Sequence, residues 1–206
     1  MTQNSEHEPP VAAVVLAAGG SIRMGELKQL LPICGRPMVR LVTEAVCAAG
    51  LDQVVVVVGA QAEAVQRALS GLPVEFARNE EWAAGMSTSV RTGLGVLRPE
   101  IQAALMVLAD QPGLTPELLR TITARYRRTG APIVVPVYRG RRGNPVLFDR
   151  VLLPELAAAE GDRGGRTLII RYEARLECVE IDDPGVILDV DTREDYEQAQ
   201  AMACQQ

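Results

Sequence analysis

The sequence predicts a single-domain α/β protein with a mostly parallel, twisted sheet flanked by helices. Three observations carry that expectation. Four short apolar runs, Val11–Leu16, Val54–Val58, Ala103–Leu108 and Ile133–Val137, lack any alternation of apolar and polar residues. Strands covered on both faces read this way, and parallel sheets are covered on both faces. Helical patterns of ordinary length separate the runs, which is the rhythm of βαβ units. The 206 residues, 48% of them hydrophobic, suit one sizeable core, and with aromatics at 3% that core is made of Val, Leu, Ile and Ala.

Residues 1–10 read as a flexible leader and residues 11–206 as the domain. The first strand, Val11–Leu16, stops at glycines, and a helix is expected over Pro37–Ala49 with Pro37 in its first turn. The five valines Val54–Val58 end at Gly59, and Ala62–Leu69 reads as the next helix. Ser87–Leu97 follows as a helix that Ser87 or Ser89 would cap. The run Ala103–Leu108 leads to Asp110, and Pro116–Arg128 is a helix capped by Thr115. The rhythm then changes into a C-terminal region of hairpin and mixed strands. Arg139–Asn144 is a basic turn, Pro145–Phe148 a short strand pairing back as a hairpin, and Glu160–Arg166 a polar, Gly-rich loop. Leu176–Ile181 reads as a strand and Thr192–Ala203 as a closing helix capped by Thr192.

Composition excludes several functions. A net charge of −5 argues against wrapping nucleic acid. The four cysteines lie far apart and His7 is the single histidine, so neither a zinc site nor a C-x-x-C redox pair is expected. Met1–Pro10 has no basic start followed by an apolar run, and no stretch approaches the ~20 apolar residues that cross a bilayer. The expectation is a reduced, cytoplasmic protein with neither membrane nor nucleic acid as partner.

The first candidate site follows the first strand: Leu16-Ala17-Ala18-Gly19-Gly20-Ser21-Ile22-Arg23-Met24-Gly25, with Lys28 three residues later. Small residues let backbone N–H groups approach a phosphate chain, and Arg23 and Lys28 supply positive charge. The loop matches neither G-x-G-x-x-G nor G-x-x-x-x-G-K-[ST]. On the glycines alone, a tight turn with two solvated cations reads equally well. Asp110 stands just past a buried strand, where ligands of α/β sheets collect. Mg²⁺ takes one or two carboxylates with phosphate oxygens and water, so one Asp there suffices. A second acidic pair, Asp189 and Asp191, follows the last apolar run, and Asp191 is the candidate second ligand; helix capping is its alternative role. Asn79–Ser89 leads into a helix whose N-terminus attracts anions. Arg139–Pro145 concentrates three arginines suited to bidentate phosphate contacts.

These blocks resemble the molybdopterin nucleotidyltransferases of the Rossmann-like nucleotidyltransferase superfamily. L-A-A-G-G-S-I-R-M-G-E-L-K is similar to their L-A-[AG]-G-x-S-x-R-M-G-x-x-K signature. A-D-Q-P at Asp110 and R-G-N-P-V-L-F at Arg142 resemble blocks of the branch that transfers CMP. D-V-D-T-R-E-D and N-E-E-W-A-A-G-M-S-T-S also look like family elements, and the likeness spans roughly residues 11–200. The resemblance implies catalytic roles for Arg23, Lys28 and Asp110, with Mg²⁺ on Asp110 and Asp191. It implies nucleotide contacts from Leu16, Ala17, Ala18, Gly19, Gly20, Ser21, Gly25, Lys28, Asn79, Gly85, Met86 and Ser87. It implies acceptor contacts from Arg142, Gly143, Asn144, Pro145, Asp162 and Arg166. The implied reaction is Mg²⁺-dependent transfer of CMP from CTP to molybdopterin with release of pyrophosphate, with transient contact to a molybdoenzyme or its chaperone. Ala18 points to CTP, because guanylyl-transferring relatives resemble L-A-G-G there and a glycine leaves room beside a purine. The alternatives are a guanylyltransferase on the same cofactor, a sugar- or polyol-phosphate nucleotidyltransferase, and a non-catalytic nucleotide or cofactor carrier.

Overall fold

The computed structural model describes residues 8–20, 22–23, 26–161 and 164–203, with residues 22 and 23 described by backbone alone. In chain order the elements are β1 Val11–Ala17, β2 Ile22–Arg23, β3 Glu26–Leu27, β4 Pro32–Ile33, β5 Arg36–Pro37 and α1 Met38–Ala48. Then come β6 Gln53–Val58, α2 Ala62–Ala68, β7 Glu75–Arg78, α3 Met86–Gly95, β8 Ala103–Leu108 and α4 Pro116–Thr129. The chain continues through β9 Ile133–Tyr138, β10 Arg141–Arg142, β11 Val146–Asp149, α5 Leu153–Ala158, α6 Gly164–Arg171, β12 Leu176–Glu180 and α7 Arg193–Ala203.

Among the described residues, eight strands form one sheet. Its centre is parallel: β1 lies between β6 and β8, with Val14 opposite Val55 on one side and Met106 on the other, and β7 extends β6. Both faces are packed. Val11, Ala13, Val15 and Ala17 meet Val39, Val42 and Val46 of α1 and Leu119 and Ile122 of α4. Val14, Val55 and Val57 on the opposite face are covered by α3 through Gly93, Val90 and Leu94, and the same cluster runs on to Leu156 of α5 and Leu168 of α6. That double burial is why the strands show no polar alternation. The expected α/β architecture, mostly parallel and flanked by helices, is the one observed.

One local expectation is extended and three are corrected. The strand expected at Pro145–Phe148 is β11, and it does pair antiparallel with β9. It also pairs with β8, so it is inserted between the two. An all-apolar Val146-Leu147-Phe148 needs neighbours on both edges and cover on both faces, whereas the exposed β10 forms the tight hairpin with β9. Neither Ser87 nor Ser89 caps α3. The chain enters that helix through Gly85 at φ 115°, a conformation suited to glycine, and Thr88 Oγ1 donates back to Gly85 O at 2.8 Å. Residues 160–166 are not all loop, because α6 begins at Gly164 to bring Leu168 into the core. Pro37 precedes α1 as its N-cap residue and is not in its first turn. Two caps hold as expected: Thr115 accepts from Leu118 N at 3.2 Å, and Thr192 with Asp195 forms a reciprocal capping box on α7. Among the described residues, no helix is long and apolar enough to cross a membrane.

Candidate active site

The carboxyl ends of β1 and β8 open into a cavity of about 400 Å³. Leu16–Gly19 forms one wall, Leu108–Asp110 another, and Trp82, Gly85, Met86 and Ser89 a third; Lys28, Gln29 and Asp191 complete the lining. Of the residues expected to hold nucleotide, Leu16, Ala17, Ala18, Gly19, Lys28, Gly85 and Met86 are therefore brought together here.

Lys28 stands at the polar heart of the cavity, in a short 3₁₀ turn after β3. Its Nζ lies 2.7 Å from Asp110 Oδ2 and 2.6 Å from Asp191 Oδ1, with the side chain only 9% exposed. Burial works against the ammonium, but the charges and hydrogen bonds of Asp110 and Asp191 outweigh it and hold the Lys28 pKa above the usual lysine value. Among the described residues, Asp110 Oδ1 is buried with no hydrogen-bond partner. The two acidic blocks are fastened by the backbone, Val190 N donating to Asp110 O at 3.0 Å. Gln111, fully buried beneath them, donates Nε2 to Asp189 Oδ1 at 2.6 Å. Burial pushes the Asp189 carboxyl up, with the Gln111 hydrogen bond pulling the other way.

The structure assigns different work to three of the expected nucleotide ligands. Asn79 is buried and does not line the cavity: its Nδ2 donates to Thr88 Oγ1 (2.8 Å) and Ser89 Oγ (2.9 Å), and its Oδ1 accepts from Glu81 N. It ties the end of β7 to α3. Ser87 opens onto a separate cleft beside Glu160, and Ser89 takes the cavity wall instead, because positions two apart on a helix do not share a face. Gly20 lies under the Trp82 indole: a Cβ at Gly20 would fall 2.5 Å from Trp82 Cζ3, and one at Gly59 would fall 2.6 Å from Trp82 Cβ. Ser21, Gly25 and Asp162 lie outside the described residues, as does the side chain of Arg23.

Sequence reasoning missed Gln29. Its buried Nε2 donates to Gly19 O at 2.8 Å and to Ala17 O at 3.2 Å, fixing the glycine loop from behind. A lone amide within Leu27-Lys28-Gln29-Leu30-Leu31 was the available signal, since a polar group buried among leucines must find partners.

A second cavity of about 570 Å³ shares Leu16, Met86 and Leu108 with the first. Met106, Val146, Phe148, Leu156 and Ile169 give it apolar walls, while Arg142, Gly143, Asn144 and Arg166 supply its polar groups. Four of the expected acceptor residues thus meet beside the first cavity, and Pro145 does not line it. Arg142 is turned partly to Glu173, its Nη2 2.8 Å from Oε1. The loop that carries it is held by backbone, Gly143 N donating to Pro136 O and Asn144 N to Val186 O.

A mostly parallel α/β sheet with a small-residue loop, a paired lysine and strand-end carboxylates at its rim defines a nucleotide-handling α/β domain. The chain belongs to the family of the MobA-like NTP transferase domain, whose profile matches residues 13–176. Nicotine blue oxidoreductase of Paenarthrobacter nicotinovorans is 32% identical over 198 residues, covering 90% of this chain and 94% of that protein. The crystal structure of the Mycobacterium tuberculosis Rv0371c homologue from Mycobacterium sp. strain JC1 superposes with a TM-score of 0.84 at 30% identity, covering 95% of this chain and 97% of that one. Rv0371c of M. tuberculosis H37Rv, solved in complex with manganese, gives 0.77 at 29% identity over 95% of this chain and all of that one (100%).

Proposed function

We propose that the protein transfers CMP from CTP to a molybdopterin-type phosphorylated acceptor with release of pyrophosphate. The observation that carries this reading is the shared wall of the two cavities. Leu16, Met86 and Leu108 border both, so a triphosphate held by Lys28 and an acceptor phosphate held by Arg142 and Arg166 would meet across three side chains. Attack in line on the α-phosphorus needs positioning and charge neutralisation more than a protein nucleophile, and the cavity offers an ammonium, carboxylates and no cysteine or histidine. The apolar walls of the second cavity suit a flat heterocycle better than a sugar, whose hydroxyls would be left without partners. Ala18 lines the first cavity beside Gly59, and we read its methyl as favouring CTP over GTP.

The donor set fits Mg²⁺. Asp110 Oδ1, buried and without a partner among the described residues, is an anionic acceptor that a hard cation would satisfy. Asp110 and Asp191 would hold the ion. Among the described residues no cluster of three His, Cys, Asp or Glu side chains could bind a metal, so triphosphate oxygens and water would complete its shell. The manganese complex of Rv0371c supports a divalent ion in this family. Such an ion would neutralise charge on the triphosphate; Lys28 does the same from the protein side.

A donor–acceptor matrix tests the proposal: CTP, GTP, ATP and UTP against molybdopterin and sugar phosphates, read as pyrophosphate released. CTP with molybdopterin should turn over fastest. GTP preference would move the protein to guanylyl transfer, and turnover of sugar phosphates alone would discard the molybdopterin acceptor. The name of the P. nicotinovorans relative raises a second reading, reduction of a flat heteroaromatic compound in the apolar cavity. It predicts substrate reduction matched by oxidation of an added hydride donor, with no pyrophosphate released.

A further inference from the structure

We propose that Trp82 is the platform on which the base of the bound nucleotide stacks, which makes it a binding residue for the donor nucleotide; the inference rests on the nucleotidyltransferase reading above. Trp82 is the single tryptophan of the chain, and it is 39% exposed while lining the first cavity. An indole left half in solvent at the edge of a polar cavity asks for a ligand more than for a place in the core.

Its seat is built to hold it there. Gly20 comes from the loop after β1 and Gly59 from the end of β6, and neither has room for a Cβ beneath the Trp82 side chain. Two separate strand ends are thus bare where Trp82 rests on them, Gly20 under the indole and Gly59 under its Cβ. The Ala18 methyl borders the same seat. The division of the cavity then follows from charge. Lys28, Asp110 and Asp191 are its charged groups, and they suit the triphosphate and its counter-ion. The base must lie away from them, on an uncharged lining that includes Leu16, Gly19, Trp82, Met86, Ser89 and Leu108. Of these only Trp82 presents a π-face, which stacks on any base.

The chain's own fluorescence reports on this, since Trp82 is its only indole. Emission is followed while CTP, GTP or inorganic pyrophosphate is added with Mg²⁺ and without acceptor, and binding is measured in parallel by calorimetry. CTP and GTP should quench or shift the emission, and pyrophosphate, which has no base, should leave it unmoved at saturation. Trp82→Ala should weaken CTP by about tenfold with pyrophosphate affinity unchanged, whereas Trp82→Phe, which keeps a ring, should stay within about twofold. Emission that follows pyrophosphate as closely as CTP overturns the proposal. So does CTP that binds by calorimetry without moving the emission, or an equal loss in the Phe and Ala variants. If no nucleotide binds at all by calorimetry, the nucleotidyltransferase reading falls, and this one with it.

Discussion

At the scale of single residues, the cavity is organised by one ammonium between two carboxylates. Removing either sign should have distinct effects. Asp110→Asn keeps the shape and leaves Lys28 its contact with Asp191, so the variant should fold, while pyrophosphate release falls by roughly 10²-fold or more. Unchanged turnover would take Asp110 out of the chemistry. Lys28→Ala should weaken NTP binding by ~1.5–3 kcal/mol, the usual contribution of a charge-assisted contact. Arg142→Ala should leave NTP binding alone and raise the KM for the acceptor, and its exposed pair with Glu173 contributes little to stability. Equal loss of both ligands in both variants would contradict two separate pockets. Lys28, Asp110 and Asp191 were readable in the sequence because their motifs have fixed spacing. Gln29 and the seat of Trp82 were not, because each acts on residues brought close only by the fold.

At the scale of elements, α3 and α4 set the two faces of the sheet. Gly93 of α3 lies against β1 and β6, where a Cβ would sit 2.4 Å from Val14 Cγ1 and 2.8 Å from Val57 Cγ2. Gly93→Ala gains up to about 1 kcal/mol of helix propensity but overpacks a contact that commonly costs ~1–3 kcal/mol. We expect net destabilisation in urea titrations together with weaker NTP binding, because Met86 and Ser89 ride on the same helix. A variant as stable as the parent would show that α3 can lift off the sheet freely. On the other face, Tyr126 of α4 reaches Asp149 at the end of β11, its hydroxyl 2.7 Å from Oδ2. Burial first, and then the hydrogen bond and charge of Asp149, raise its pKa above the usual tyrosine value. A raised folded-state pKa means the contribution is complete below about pH 10, where unfolded tyrosine titrates, and is lost as pH climbs through the folded value. Tyr126→Phe should therefore be less stable by ~1–3 kcal/mol at pH 7, and the gap should narrow by pH 11. A gap independent of pH would show that the hydroxyl titrates alike in the folded and unfolded states.

At the scale of the whole molecule, the strands declared themselves and the connections did not. Val54–Val58 could be read as a strand because both faces are covered, which removes polar residues from the pattern. The edge strand β7 escaped notice for the opposite reason: of Glu75-Phe76-Ala77-Arg78 only Ala77 is buried, so there is no periodicity to see. The insertion of β11 between β9 and β8 is a matter of which partner wins a contest for hydrogen-bonding edges, and that contest is decided far along the chain from Val146. The same holds for Asn79, whose motif was legible while its direction, into α3 and away from the cavity, depended on where that helix docked.

Lys28 and Asp191 are separated by 163 positions, and the family profile ends at residue 176. During synthesis the glycine loop, both central strands and Asp110 all emerge before the acidic segment that closes the cavity. Until that segment emerges, Lys28 has only one of its two carboxylates. The second arrives with α7, which latches onto the early part of the chain when the Tyr196 hydroxyl donates to Pro32 O. The cavity is therefore finished in one late step. A chain that stops short by a few dozen residues would carry most of the core and leave Lys28 with one carboxylate, and a released full-length chain gains its charge balance only as its tail folds back over its beginning.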